Sequence, residues 1–540
     1  MNVFKKLLKF TPPEYENEFI LTQERKETEY DVRKITGPQE DVCVFGDYER
    51  DSAYIKNRFK VPLNNDVVVR EFKIRGDRQA LIVFIDGMIN TDAVDENIIK
   101  TMLEFPFYKS NEHYKNESEI IDYFISHSQA MLSDSYDRIF EEVNFGSCAV
   151  IVDGFKKAVI CDVRKWGSRS ISKPENEQSI YGPQEAFSEM LRNNTALIRK
   201  IIKTEKLIAE GIKIGTVSKT RGVLLYIDDI ANRNLVDEVR KRIKSISTDY
   251  IVAIEEVALF LEDSSVLVTS QIMYTERPDR AARALTEGKV VLQLNGSPNA
   301  LIFPTTAFEM MHAVSDDYLR LPYANMSRII RIVALFLSIL LPGLYLAVTL
   351  FHHEIIPTYL LYSISAAREN VPFPSLIELL LMDISFELIR EAGIRMPGPI
   401  GSTLGIVGGL ILGQSAVSAK IVSPLMIIVI AITGIGSFAT PDYSLSWTSR
   451  VLRLGFIALG AFFGLYGIAI GIFLYALLLA SKTSFGVPFL SPVPKTGRSR
   501  MKNAIFENEI WKKEMRPEFL KTKRKRAEEK ISRNWKIKYK

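Results

Sequence analysis

From Ile332 to Phe351 the chain reads IVALFLSILLPGLYLAVTLF, twenty residues without a charge, whereas the residues before about 325 mix charged and apolar positions as a folded globular unit does. Twenty apolar residues make a helix long enough to cross a bilayer. Two unlike parts follow from this change of pattern. The sequence predicts an α+β head joined to an all-α, polytopic membrane domain and a basic C-terminal tail.

The head carries an internal repeat. VFIDGMINTDAVDE at 83–96 aligns with LYIDDIANRNLVDE at 225–238 at an offset of 142, matching Ile85, Asp86, Asn90, Val94, Asp95 and Glu96 with identical residues. At the same offset Asp137-Arg138 falls on Asp279-Arg280, and GSCAVIVDGFKKAVI at 146–160 falls on GKVVLQLNGSPNALI at 288–302. Each copy reads as strand, turn, helix, further helix and a hairpin whose turn is Asp153-Gly154 or Asn295-Gly296, dipeptides that accept positive φ. Two duplicated α/β subdomains are expected, at 51–165 and 221–310, with a linker and helix at 166–220 and an N-terminal extension at 1–50. The polar stretch RSISKPENEQSIYGPQ should lead into a helix around Ala186 to Ile202.

Beyond a juxtamembrane connector at 311–331, the membrane domain should occupy 332–490 with four crossings. IIPTYLLYSISAA at 355–367 is too short to cross and reads as interfacial or re-entrant. The next helix, 375–393, carries Glu378, Asp383, Glu387, Arg390 and Glu391 among apolar residues. At 100° per residue the last four share a face, while Glu378 falls on the apolar side. Ten apolar residues contribute about −3 to −6 kcal/mol on insertion, but five ionised ones would cost ~12 kcal/mol or more at a helix centre. Lipid on all sides is therefore excluded. One face meets water at the membrane surface, or it lines a polar path or subunit contact.

Glycines recur at spacings of four at Gly401, Gly405, Gly409 and Gly413, and a second ridge is formed by Gly460, Gly464, Gly467 and Gly471. Each costs a helix about 1 kcal/mol relative to alanine, so close backbone packing within or between subunits is the expected return.

Charge adds direction. From Lys495 to Lys540 there are 17 Lys or Arg against 6 Asp or Glu, and Arg320, Arg328 and Arg331 precede the first apolar span. Both ends of the membrane domain then lie on the cytoplasmic side, with anionic lipid rather than nucleic acid as the partner of the tail. The start MNVFKKLLKF has no h-region or cleavage site of a secretory signal. Three cysteines, Cys43, Cys148 and Cys161, lack metal-type spacing and suit a reducing compartment. FIDGMINTDAVDE lacks the glycines and lysine of a phosphate cradle, and Asp86 and Asp228 read as turn caps. No ligand is expected in the head, no metal or cofactor anywhere, and no nucleophile motif points to an enzyme.

TERPDRAARALTEGKVVLQLNGSP (275–298), SDDYLR (315–320), RENVPFP (368–374), ELIREAGIRMPGPIGSTLGIVGGLILGQSAV (387–417), RVLRLGFIALGAFFGLYGI (450–468) and KTSFGVPFLSP (482–492) resemble, in order, the A subunits of GerA-type spore germination receptors. The resemblance covers about 140–492 and leaves out the first 50 residues and the tail. It implies a multi-pass protein of the spore inner membrane, working with a transporter-like B subunit and a lipoprotein C subunit. It also implies self-association, as pentamers, into a germinant-gated cation channel; Glu378, Asp383 and Glu387 are the acids that would attract cations. A non-conducting scaffold and a secondary transporter remain as alternatives, the transporter disfavoured because the only repeat lies in the head.

Overall fold

The computed structural model describes residues 19–23, 42–74, 78–104, 125, 129–165, 173–263, 268–395, 409, 411–492, 506–509 and 513–527. In the head, helix α1 (Tyr48–Arg58) precedes strands β1 (Val67–Lys73) and β2 (Gln79–Ile85). A helical stretch, α2 (91–104), leads on to β3 (Ala130–Ser133), α3 (Tyr136–Asn144), β4 (Cys148–Val152) and β5 (Ala158–Cys161). The antiparallel sheet runs β1-β2-β4-β5-β3. β2 is apolar almost throughout because both its faces are covered. Leu81, Val83 and Ile85 meet Ile55, Phe59, Ile139 and Phe140 on one side. Ala80, Ile82 and Phe84 meet Val94, Ile98 and Met102 on the other.

The second unit contains α4 (Leu191–Ile201), β6 (Leu207–Ile214), β7 (Thr220–Ile227), α5 (Arg233–Ser245), α6 (Ile254–Leu261), β8 (Met273–Thr275), α7 (Pro278–Glu287), β9 (Val290–Leu294) and β10 (Ala300–Phe303). Its sheet order is β6-β7-β9-β10-β8, the order of the first sheet. The register agrees as well, since Leu81 opposite Ile151 becomes Val223 opposite Gln293 at the offset of 142. Gly154 and Gly296 both adopt positive φ in the hairpin turns.

The boundaries differ from those expected. Residues 207–214, assigned to a linker, form the edge strand β6, and α4 covers one face of the second sheet through Ile198. Likewise α1 starts inside the supposed N-terminal extension, and Leu21 of that extension is buried against the second unit. Edge strands were missed because half-exposed patterns such as Leu207–Ile214 lack a continuous apolar run. The polar stretch before α4 is held down rather than loose: Arg277, fully buried, donates to the carbonyls of Glu177 and Pro183, and Glu177 accepts from Thr275 and Glu276.

Ion pairs tie the two units, a buried one among them. Arg199 of α4 binds Asp66 at the start of β1 through Nε at 2.5 Å and Nη2 at 2.7 Å, with both side chains at most 2% exposed.

The helical part comprises α8 (Leu321–Phe351), α9 (Thr358–Arg368), α10 (Ser375–Arg395), α11 (411–418), α12 (Pro424–Phe438) and α13 (Tyr443–Ser481). Although α13 is helical along its length, Gly464 at φ 59° and ψ −144° folds it sharply. Thr448 Oγ1 donates to the Val268 carbonyl at 3.0 Å, and the Tyr475 hydroxyl lies 2.7 Å from Thr269 Oγ1. Two residues 27 positions apart therefore meet the same loop of the head, so 443–463 and 465–481 are antiparallel arms. At the opposite end Gly464 rests on Phe351 and His352, the end of α8. The short α9 has no buried residue, and Tyr359 and Tyr362 project outward.

After α13 the chain returns to the head. Hairpin β11 (Thr483–Ser484) and β12 (Val487–Pro488) buries Phe485 and Val487 against the second unit, and Phe489 joins the cluster that also holds Leu335 and Leu445. The tail segment 513–527 follows onto the same unit, where Lys523 N donates to the Ile230 carbonyl and Arg516 Nε to that of Thr286.

Candidate functional site

α10 begins where VPFP hands over to Ser375, with Glu378 N donating to the Pro374 carbonyl. It runs parallel to α12: Glu378 meets Ser423, Phe386 meets Gly434 and Arg390 meets Ser437. This packs the charged helix against α12.

Glu378, on the apolar side by sequence, is fully buried. Its Oε1 accepts from the Ser423 backbone N at 2.5 Å, at the first turn of α12, where the positive end of the helix dipole favours a carboxylate. Its Oε2, Ser375 Oγ and the Tyr345 hydroxyl have no hydrogen-bond partner among the described residues.

One turn further along, Asp383 and Glu387 share a partner from the first arm of α13. Arg453, 1% exposed, places Nη2 at 3.1 Å from Asp383 Oδ1 and 2.6 Å from Glu387 Oε1. Arg450, in the same arm, lies 3.7 Å from Glu387 Oε2 and caps the Trp447 ring at 4.3 Å. Arg390 lies 3.5 Å from Glu387, donates to Ser437 Oγ at 2.5 Å and packs over Phe386 and Phe438. Glu391 is exposed. Three arginines thus surround two acids. Arg450 and Arg453 are partners that the helix's own sequence does not reveal. Their signal was two charges three residues apart, on one face of an otherwise apolar arm.

The glycines divide. Gly401 and Gly405 lie outside the described residues. A Cβ at Gly409 would meet nothing within 4 Å, and at Gly413 only Ile427 at 3.7 Å, so the described half of this ridge makes no close approach within the chain. In α13 the four glycines do not form one ridge, because the helix folds at Gly464. Gly460 abuts the carbonyl of Gly343 in α8, whose own Cβ would lie 2.5 Å from the Phe456 carbonyl. Gly467 and Gly471 pack against Leu459 and Phe456 of the preceding arm.

A second charged group joins head and bundle. Asp316, from SDDYLR, accepts from Arg328 Nε at 3.0 Å and from Arg331 at 2.8 and 2.5 Å, and Arg328 also binds Glu507 of the tail. Burial raises the Asp316 carboxyl, but the hydrogen-bonded Arg331 and neighbouring Arg328 outweigh it and hold it below the ordinary aspartate value. Arg328 and Arg331, read from the sequence as marking the near side of the first apolar span, both turn to this acid.

Together these features define a class: an α/β head of two like units, seated on a helical bundle in which, among the described residues, two helices are long and apolar enough to cross a membrane. The family described as Bacillus/Clostridium GerA spore germination protein matches residues 53–519, and the chain belongs to it. Spore germination protein KA of Bacillus subtilis is 36% identical over 462 residues, covering 85% of this chain and 84% of that protein. Spore germination protein GerLA of Bacillus cereus is 34% identical, covering 85% and 93%. The uncharacterized membrane protein YfkQ of Bacillus subtilis is 36% identical, covering 84% and 88%. The crystal structure of the N-terminal domain of the A subunit of the Bacillus megaterium spore germinant receptor GerK3 matches 48% of this chain and 95% of that chain, at 28% identity and a TM-score of 0.37. The resemblance read from the motifs is borne out.

Proposed function

We propose that this chain is the A subunit of a nutrient-responsive germination receptor of the spore inner membrane, assembling with B and C subunits and with further copies of itself into a germinant-gated cation channel. Family membership across 53–519 is the observation that carries the receptor assignment. Arms 443–463 and 465–481, about 31 and 25 Å long at 1.5 Å per residue, each approach the thickness of a hydrocarbon core. The membrane domain is read as crossing an even number of times, four in the reading from the sequence. An even number leaves head, hairpin and tail on one side, the cytoplasmic one. The two head units are read as duplicates, a view supported by their common strand order and offset.

Conduction would run along the polar faces of neighbouring copies, with Glu378, Asp383, Glu387 and Glu391 as the acids nearest a path. The exposed Gly409, with nothing within 4 Å of where a Cβ would stand, suits close contact with a second copy. A second reading, a non-conducting scaffold, is favoured by one observation: Arg390, Arg450 and Arg453 already compensate Asp383 and Glu387 inside the chain. Deleting the gene should abolish germination to at least one nutrient, with recovery on complementation. Unchanged responses to all nutrients would remove the receptor assignment.

A further inference from the structure

The second head unit meets the bundle through a loop whose depth is set by the helices it touches. α8 and the first arm of α13 run the same way, since Gly343 packs on Phe456 and Gly460, and Phe351 on Gly464. At equal rise per residue, Thr448, about ten residues before the contact at Gly343, stands level with about Val333. Thr448 holds the Val268 carbonyl and Tyr475 meets Thr269, so this loop of the head reaches down to the start of the charge-free segment 332–351.

α6 precedes that loop in the chain, and its end is fixed beside it. Glu262 Oε1 accepts from Ser270 Oγ at 2.8 Å and from Gln271 N at 3.0 Å, while Asp263 accepts from Phe485 N at 3.2 Å, just beyond the exit of α13. Arg242 of α5 binds Asp263 and donates to the Leu261 carbonyl at 2.9 Å. Ile254, Val257, Ala258 and Leu261 face the core of the unit, as the helical period requires, and turn the other side outward. An outward side in water is ordinarily polar. Here its last turn carries Leu259 and Phe260, 70% and 56% exposed. At the offset of 142 the first unit has Glu117 and Ser118 in their place, so the apolar tip is no requirement of the repeated unit.

We infer, on the reading of α8 and α13 as membrane-spanning helices, that Leu259 and Phe260 enter the lipid surface beside α13 and anchor the second head unit to the leaflet on its own side. The tip stands where headgroups give way to acyl chains, a level at which Leu and Phe exchange water for lipid. Its neighbouring acids are engaged within the protein, Glu255 by Asn299 and Asp263 by Arg242, so little charge opposes entry. The head is then held at two points, the root of α8 through Asp316 and this tip, which limits its tilt on the bilayer.

Full-length protein carrying Cys43→Ser, which removes the exposed thiol, tests the anchor with a nitroxide at Phe260→Cys or Leu259→Cys. Both side chains are exposed, so the labels leave the fold intact. In vesicles of phosphatidylethanolamine and phosphatidylglycerol, electron paramagnetic resonance compares collision with oxygen, which concentrates in lipid, and with a water-soluble nickel chelate. Oxygen should dominate at both positions, as at Phe473→Cys in the second arm of α13, and the chelate should dominate at Val217→Cys in the turn between β6 and β7. Chelate collision at Phe260 and Leu259 with oxygen dominant at Phe473 would overturn the inference alone. Chelate collision at Phe473 as well would overturn the membrane-spanning reading and the inference with it. Shielding of Phe260 from both reagents, with spin–spin broadening that fades on dilution with unlabelled protein, would put a second copy on this face and overturn the lipid assignment.

Discussion

Replacing Arg453 by Met should unfold or loosen the bundle far more than a surface change would. The Arg453 side chain is 1% exposed and stands between Asp383, 3% exposed at 3.1 Å, and Glu387, 30% exposed at 2.6 Å. Glu387 retains Arg390 and Arg450 in the variant, whereas Asp383 loses the cation paired with it. Breaking one side of a buried pair costs about 3–5 kcal/mol, because the remaining charge stays desolvated. Removing both charges, as in Arg453→Met/Asp383→Leu, leaves no orphan and should recover most of that loss, to within ~1 kcal/mol of the parent. Unfolding of purified protein in mixed micelles with rising dodecyl sulfate, followed by circular dichroism, gives the order parent, then double variant, then Arg453→Met. A single variant as stable as the parent, or a double variant less stable than the single, would refute the reasoning.

Other outcomes follow from the same packing. Arg199→Met should destabilise the head by about 3–5 kcal/mol by stranding buried Asp66, measured as exposure of the joint between units to proteolysis. Gly460→Leu should prevent α13 from seating on Gly343 and abolish monodisperse protein in detergent, while Gly409→Leu should leave the protomer folded and change only its oligomer size. Because the folded Asp316 carboxyl is held below its ordinary value, its contribution is complete above the unfolded aspartate value of about 4 and is lost as pH falls through the lowered one. The contact between head and α8 should therefore survive mild acid and open only below ~4, and Asp316→Asn should weaken it at neutral pH and flatten that dependence, as read by cross-linking Asn325 and Glu507 positions replaced by Cys.

Local signals in the sequence located the two head units well. The Asp-Gly and Asn-Gly turns and the apolar runs of β2, β4, β7 and β9 were visible because each strand is buried on both faces. β1 and β6 were harder to see, since an edge strand with one exposed face carries mixed residues such as Arg70, Glu71 and Glu210. In the bundle, composition suggested that α10 needed polar company but could not name it. Arg450 and Arg453 lie more than sixty residues downstream of Asp383 and Glu387, and only the fold at Gly464, with α8 between, determines which arm they face. That fold was also hidden, because a glycine at a spacing of four looks the same in a packed ridge as in a turn.

Cation flux through purified protein reconstituted in liposomes separates a conducting subunit from a scaffold. Potassium-loaded vesicles containing the parent protein should release potassium faster than empty vesicles, and Asp383→Asn or Glu387→Gln, at matched oligomer content, should change the rate or the selectivity for cations over anions. Release equal to that of empty vesicles, with oligomers intact and with the partner subunits and germinant supplied, would contradict the channel and leave the scaffold.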